Sequence, residues 1–516
     1  MRYLVVFSIT PVQAFIGRAR KLRDFYVSSK ILSYLASAGF NAVNGKKVYP
    51  SAQSKSIPNK FVFSIEADKE EQVKSELERI EQSIQNAWLE LADITNVPRC
   101  RVNDYWNYSW AAVPYKDEKE YKQAHSKVQK LLAAIKLKPR KIRKSQTGKK
   151  CPLCGENSVW REDFGANKDE KLCGVCAIKR LLPEKITKNH QLYSIFSDKY
   201  PSVTEIAMHR YIGKYGLINE YEIESLQEET KYNELKNKYG KSPSNKEKYY
   251  ALLAMDGDKM GDLVNKKTTP DEHLGLSQKL DSFNGEVEKI DCFDKRKGNA
   301  KLIYTGGDDI FAVLPLENAI SIAKEIRELY MKKVVKDEPT TTISAAIVIA
   351  HHKEPLREVI QDTHRVLDKI AKEKAGRDAL AIRLKKRSGG DRDLFFQWKA
   401  TNPFKPDETL FDSLLKIKEA LSESALTSSL IYRLAQLKDA IGVQGIKSEQ
   451  ILKLFEYEVA HSIGEENVKE NAKRLAGLCL AQAFNQQGEL KEFNPEAVAI
   501  AHFLANDNDD KKMEDK

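Results

Sequence analysis

The stretch KLIYTGGDDIFAVLP, residues 301–315, runs apolar, stops at two glycines and two aspartates, and runs apolar again. Two short strands joined by a tight turn is the reading that this pattern predicts. Gly306 and Gly307 supply positive φ at little cost and leave bare backbone for a phosphate to approach. The flanking segments, Leu302 to Thr305 and Ile310 to Leu314, pin the turn, so Asp308 and Asp309 are held in place. Glycine and aspartate are also ordinary turn formers, and by itself the hairpin is equally well explained as architecture.

Asp256 changes that balance. YALLAMDGD, residues 250–258, is a continuous apolar strand that ends in acid. A buried central strand presents its last residue at the sheet edge where ligands bind. If the hairpin lies beside this strand, Asp256 meets Asp308 and Asp309. Packed carboxylates raise one another's pKa unless a cation neutralises them, and an all-oxygen set favours Mg²⁺ or Mn²⁺. Two such ions about 4 Å apart activate a ribose 3′-hydroxyl and hold a triphosphate for in-line displacement. Nucleotidyl transfer is the chemistry this predicts. Backbone N–H groups at Gly257, Gly306 and Gly307, and at the helix opening near Lys259, are the candidate phosphate ligands. Lys372 or Arg377 is placed to reach the triphosphate tail, with a solvated helix face as the competing reading. Asp258 reads as a turn cap, and His351 and His352 as structural.

The whole chain has 516 residues, enough for three or four compact units. Apolar residues make up 41% and charged residues 31%, which excludes a disordered chain. No run approaches the length of a membrane span, and MRYLVVFSITPVQ lacks the form of a signal peptide, so a cytoplasmic protein with no membrane partner is expected. Lys and Arg number 85 against 74 acids, a net charge of +11 that favours a polyanionic partner. The excess is concentrated in IKLKPRKIRKSQTGKK, residues 135–150, with eight basic residues and no acid. That run reads as a phosphate contact or a solvated linker.

Hydrophobic periodicity divides the chain into 1–134, an α+β unit; 135–247, which holds the basic run, four cysteines and a mixed helical region; 248–400, a second α+β unit; and 401–516, helices only. Within the second of these, residues 223–248 are polar enough to be a linker or an exposed excursion. RYLVVFSITPVQAFIGRARK and YYALLAMDGDKMGDLVNKKT look like copies of one strand-break-helix unit, the second carrying Asp256 and Asp258 where the first has Thr10 and Val12. Only the second copy has kept its acids.

Cys151-Pro-Leu-Cys154 and Cys173-Gly-Val-Cys176 are separated by 18 residues, the spacing of two knuckles closing on one structural Zn²⁺. Four thiolates leave no open position for catalysis. Cys100, Cys292 and Cys479 read as buried or incidental.

Several separated stretches together resemble one family, the large palm-domain subunit of type III RNA-guided CRISPR effector complexes, in its Cmr (type III-B) branch. They are TPVQAFIGRARKLRDFYVSSKILS, PNKFVF, CPLCG, LCGVCAIKR, YPSVTEIA, YYALLAMDGDKMG, YTGGDDIFAVLP and TISAAIVIAHHKEPL, in order over residues 1 to about 390. The resemblance implies two ferredoxin-like palm domains of the polymerase and nucleotide-cyclase kind, the first without its acids, a zinc-binding insert between them and a helical C-terminal domain. It implies that target RNA paired to the guide switches on synthesis of cyclic oligoadenylate from ATP, with Asp256, Asp308 and Asp309 holding Mg²⁺. Its implied partners are guide and target RNA, the subunit at the guide's 5′ end and a small helical subunit. Many members begin with an HD nuclease domain. None of the nine histidines here is followed by Asp, so no DNase activity is expected of this subunit. Competing readings are an ATP-binding scaffold without turnover and a stand-alone diguanylate-cyclase-like enzyme.

Overall fold

The computed structural model describes residues 1–54, 56–137, 148–164, 170–197, 200–217, 226, 231–294, 299–387, 390–423, 448–463, 467–480 and 494–505. Most of the basic run, 138–147, lies outside the described residues.

Residues 1–136 form a βαββαβ unit. Strands β1 (Arg2–Thr10), β2 (Lys46–Tyr49), β3 (Lys60–Glu66) and β4 (Asn107–Tyr115) make a sheet in the order β2-β3-β1-β4. Helices Leu22–Asn41 and Glu70–Ile94 cover one face. The helix Glu118–Lys136 covers the other, with Asp117 capping its first turn by accepting from the N–H groups of Lys119 and Glu120. Strand β1 is central and almost wholly buried, which is why it reads as a continuous apolar run and not as an alternation.

The second unit repeats this plan and extends it. Strands β7 (Tyr249–Asp258), β8 (Lys301–Gly306), β9 (Asp309–Pro315) and β10 (Thr342–His351) are followed by β11 (Ala379–Leu384) and β12 (Arg392–Gln397), in the order β12-β11-β10-β7-β9-β8. The segment β8-β9-β7-β10 reproduces β2-β3-β1-β4, so the repeat seen in the sequence is a repeat of topology. Its register differs from the alignment drawn on sequence alone. Gly257 donates its N–H to the Asp308 carbonyl at 3.2 Å, and Ile9 donates to the Asn59 carbonyl at 2.8 Å. Strand for strand, Asp256 and Asp258 therefore correspond to Ser8 and Thr10, and Thr10 and Val12 are displaced by two residues.

Between the two palms the pairs β5 (Arg161–Phe164) and β6 (Glu170–Leu172) and the helix Gly174–Lys185 carry the cysteines. The region expected as a linker contains the helix Tyr232–Tyr239, whose Tyr232 and Leu235 are buried in the first core. Among the described residues the C-terminal part is helical from Leu410, but it begins with a small hairpin, β13 (Thr401–Asn402) and β14 (Lys405–Thr409), which the helices-only expectation missed. Its helices share one core with the second palm, Leu475 and Ile500 packing in the same cluster as Leu253 and Ile347. No helix among the described residues is long and apolar enough to cross a membrane.

The first core also runs through both palms. Phe25 meets Phe311 edge to face, ring centroids 5.2 Å apart. Phe25→Ala is therefore expected to cost about 3–5 kcal/mol and to lower one shared unfolding midpoint. Near-UV and far-UV circular dichroism should move together; separate transitions would mean that the palms unfold independently.

Candidate active site

Strand β7 runs between β9 and β10. Its ladder with β9 pairs Met255 with Ile310, and one step further the register sets Asp256 opposite Asp309. Directly opposed residues of an antiparallel pair share a face. Asp308 sits at the hairpin tip, stacked on Gly257 so closely that a Cβ at 257 would lie 2.8 Å from the Asp308 Cβ. Residue 257 must be glycine for the tip to close. Gly307 takes φ +65°, the left-handed conformation of the turn. Gly306 lines the adjoining cavity.

The structure thus brings Asp256, Asp308 and Asp309 together, and each is only partly exposed. Their electrostatics follow from that placement. Burial, then the charge of Asp256, pushes Asp308 up to about 7. Burial and the neighbouring Asp256 and Asp308 push Asp309 well above the usual range. Asp256 is raised by burial and partly restored by Lys372, whose ammonium bonds to its carboxylate. For Lys372 itself burial opposes the charge, and Asp256 more than offsets it. With all three carboxylates ionised, one ammonium would leave the site net negative, and the raised Asp308 and Asp309 answer that repulsion by holding protons. An oxygen-only donor set of this charge fits a hard divalent cation.

Asp258 does something else. It is 2% exposed and accepts from Thr342 Oγ1 at 2.7 Å, Ser344 Oγ at 2.9 Å and the Asp378 N–H at 3.0 Å. Its partners brace β10 and the loop before β11, so its role is cross-strand bracing in place of the expected turn cap. Lys259 is exposed in a left-handed turn and does not line the cavity. The Gly257 N–H is already spent on Asp308. Neither of these two is brought to a phosphate position. Arg377, also at positive φ, donates its own N–H to the Ala371 carbonyl at 3.1 Å and does not line the cavity. His351 and His352 are buried, the latter beside Thr204 at 3.1 Å.

A cavity of about 790 Å³ opens over Asp256 and Asp309, between the two palms. Tyr304, Thr305 and Gly306 line it from the hairpin, and Arg357, Gln361 and His364 from the helix Leu356–Arg365. The first palm contributes Gln13, Arg18, Ser29 and residues 56–59. Sequence reasoning missed these partners and the clamp behind them. Tyr304 bonds Asp309, and burial pushes its hydroxyl well up. Asn284 donates to the Gly307 carbonyl at 3.1 Å and accepts from Thr305 Oγ1 at 2.6 Å, holding both sides of the turn. Its signal was a polar residue inside the apolar stripe Leu276, Leu280, Phe283, Val287. On the same helix, Pro270–Val287, Ser277 accepts from the Ser51 N–H at 2.8 Å and Asp281 accepts from Ser54 Oγ at 2.6 Å.

Cys151, Cys154, Cys173 and Cys176 are buried with their ligand atoms within 4.8 Å of one another, a set that could hold a zinc ion. Beyond the second knuckle, Arg180 makes a two-bond contact to Asp24, at 2.9 and 2.7 Å, and Lys179 bonds the Phe15 carbonyl. The LCGVCAIKR segment therefore fastens the cysteine module to the first palm. Cys100 is exposed, Cys292 partly so, and Cys479 buried.

Comparison with known proteins places two parts of the chain. Residues 249–381 match the family described as Cas10/Cmr2, second palm domain, and residues 4–93 match the N-terminal region of the CRISPR-associated protein Cmr2. The Cmr subunit Cmr2 of Pyrococcus furiosus is 24% identical over an alignment covering 92% of this chain and 70% of that protein. Among solved structures, a type III-B Cmr-beta complex in the apo state matches with TM-score 0.67 at 14% identity, over 97% of this chain and 81% of the other. A Csm1-Csm4 cassette in complex with cA4 matches with TM-score 0.52 at 10% identity, over 98% and 70%.

Two outcomes follow from this geometry. Asp308 holds its proton to about pH 7 when folded and releases it near 4 when unfolded. The folded state then binds more protons between those values, so its stability in EDTA falls as pH rises from about 4 to 7. Relative to wild type, Asp308→Asn should flatten that fall, and Mg²⁺ at pH 8 should raise the melting temperature of wild type but not of Asp308→Asn/Asp309→Asn. For the cysteine module, Cys173→Ser should abolish zinc content measured by elemental analysis and expose residues 151–185 to protease, because the metal supplies the folding energy of such a segment.

Proposed function

We propose that the chain is a member of the Cas10/Cmr2 family, the large palm subunit of the type III-B Cmr branch, and that it joins ATP into cyclic oligoadenylate when the assembled complex binds target RNA. The observation that carries this reading is the convergence of Asp256, Asp308 and Asp309, the first and last of them lining a cavity large enough for nucleotides. A fold relative solved with cA4 supports the product class.

In this reading Asp256, Asp308 and Asp309 hold Mg²⁺ or Mn²⁺, two per site, which would supply charge neutralisation and Lewis acidity. Gly306 leaves backbone free to approach the triphosphate. Lys372 exchanges Asp256 for a phosphate oxygen once that carboxylate is engaged. The attacking ribose 3′-oxygen bonds to the α-phosphorus as the α–β phosphoanhydride breaks, the hydroxyl proton passes to solvent in the cavity, and pyrophosphate leaves. The first palm walls off the opposite side of the cavity. The cysteine module takes a structural Zn²⁺ and no part in the chemistry. Guide and target RNA, the subunit at the guide's 5′ end and a small helical subunit are the partners this reading requires.

The test uses the assembled complex with ATP, Mg²⁺ and matched target RNA, with products separated by mass. Cyclic oligoadenylate is expected. Asp308→Ala/Asp309→Ala should take it below detection while the subunits still co-purify. Product from the double variant would place the reaction elsewhere. No product from wild type would leave an ATP-binding scaffold, and cyclic di-GMP from GTP would mark a diguanylate-cyclase-like enzyme.

A further inference from the structure

The shared topology of the two palms allows their strand ends to be compared residue by residue. In the second palm, the cross-strand slot nearest the hairpin holds Asp256 and Asp309. In the first palm the same slot holds Ser8 and Lys60, which pair directly in the β1–β3 ladder. Lys372 stands over the acids from the end of the helix that follows the fourth strand. At the corresponding end, in the last turn of Glu118–Lys136, stands Lys136. Acids with a single lysine above them have been exchanged for a serine and two lysines.

This inverted slot is not neutralised within the protein. Neither Lys60 nor Lys136 has a carboxylate partner among the described residues. Lys60 is partly buried, and burial together with the Lys136 charge works against its proton. Lys136 is exposed overall, and the covering of its inner part alone works against its proton. Beside Lys60, on the same face, the Ser8 hydroxyl is fully buried and has no hydrogen-bond partner. A cation pair set in a partly dry niche with a polar floor, and with no acid, lacks an anion.

We propose that Lys60 and Lys136 form a phosphate site on the first palm, a fixed-cation counterpart of the metal slot in the second, and that its ligand is the backbone of single-stranded RNA. The sequence favours a polymer over a mononucleotide. Lys136 belongs to the stretch 135–150, which has eight basic residues and no acid, so the slot adjoins in sequence a run of like charge. A backbone of many phosphates can neutralise many cations, and one nucleotide cannot. This assigns direct RNA contact to a face of the chain that the proposed catalysis does not use.

The experiment measures binding of a fluorescent 12-nucleotide single-stranded RNA to the full chain by anisotropy, from 50 to 300 mM salt. Lys60→Gln/Lys136→Gln should weaken binding several-fold at about 100 mM salt and reduce the slope of log K against log salt by about 1.4, the release from two single-strand phosphates. Its melting temperature should equal or exceed that of wild type, because an unneutralised cation pair has been removed; this separates lost contact from lost fold. Lys60→Met, which keeps the side chain's length and removes its charge, should give half the change in slope. Unchanged affinity and slope in the double variant would overturn the assignment. So would displacement of the RNA by ATP at matched phosphate concentration with the slope unchanged, which would make the slot a nucleotide site.

Discussion

Opposed carboxylates on adjacent strands repel, and the second palm is organised around holding that repulsion in place. The β7–β9 pairing sets Asp256 against Asp309, and the closure of Asp308 onto Gly257 adds a third acid from the turn. An exposed pair would relax by moving apart. Here the strands beneath are fully buried from Tyr250 to Met255 and from Ile310 to Leu314, so relaxation would mean opening the core. Bracing comes from behind as well, where Asp258 gathers Thr342, Ser344 and the Asp378 backbone. Lys372 offsets only part of the charge. The rest of the repulsion shows in Asp308 and Asp309, which hold protons above the usual carboxylate range; a divalent cation in their place would relieve it.

The two palms show that such a site can be gained or lost without touching the fold. Strand order and connection are the same in both, and the difference lies in the last residues of the strands. At that level the palms have opposite sign. Their cores remain joined through Phe25 and Phe311, and the helix Pro270–Val287 connects them a second time. One face of that helix takes Ser51 and Ser54 of the first palm at Ser277 and Asp281, and three to seven residues on it grips the hairpin through Asn284. Placement of the first palm and shape of the acidic turn are therefore mechanically linked.

Much of this was legible in the sequence, and the reasons are physical. Buried strands such as LVVF, ALLAM and AAIVIA announce themselves because both faces are covered. The turn at 306–309 was readable because Gly307 takes the left-handed backbone that glycine adopts at least cost; Gly306, expected to do the same, does not. The cysteine module followed from knuckle spacing. What escaped were features that depend on three-dimensional register. Thr10 was aligned with Asp256 because both follow an apolar run, and only the hydrogen bonds from Gly257 and Ile9 show that Ser8 is the counterpart. Lys259 drew attention as a basic residue at a strand end, yet its left-handed turn carries it away from the cavity. Asn284 and Tyr304 lie on elements that approach the turn from elsewhere in the chain, and no local pattern encodes that approach. The hairpin at 401–409 is too short for alternation to stand out.

The cysteine module also belongs to the architecture of the cavity, through a short chain of contacts. Cys173 and Cys176 start the helix whose Arg180 grips Asp24, and both partners of that pair are buried. Breaking one side of a buried pair strands the other charge, so the contact resists displacement. Asp24 precedes Phe25, which packs on Phe311 two residues beyond Asp309, and Ser29 of the same helix lines the cavity wall. Lys179 adds a second tie, bonding the Phe15 carbonyl while lying 4.0 Å over that residue's ring. The four cysteines therefore stand two contacts from the carboxylates and fix the wall that faces them. Four thiolates closed around a metal would suit that duty, because such a set confers rigidity without chemistry of its own.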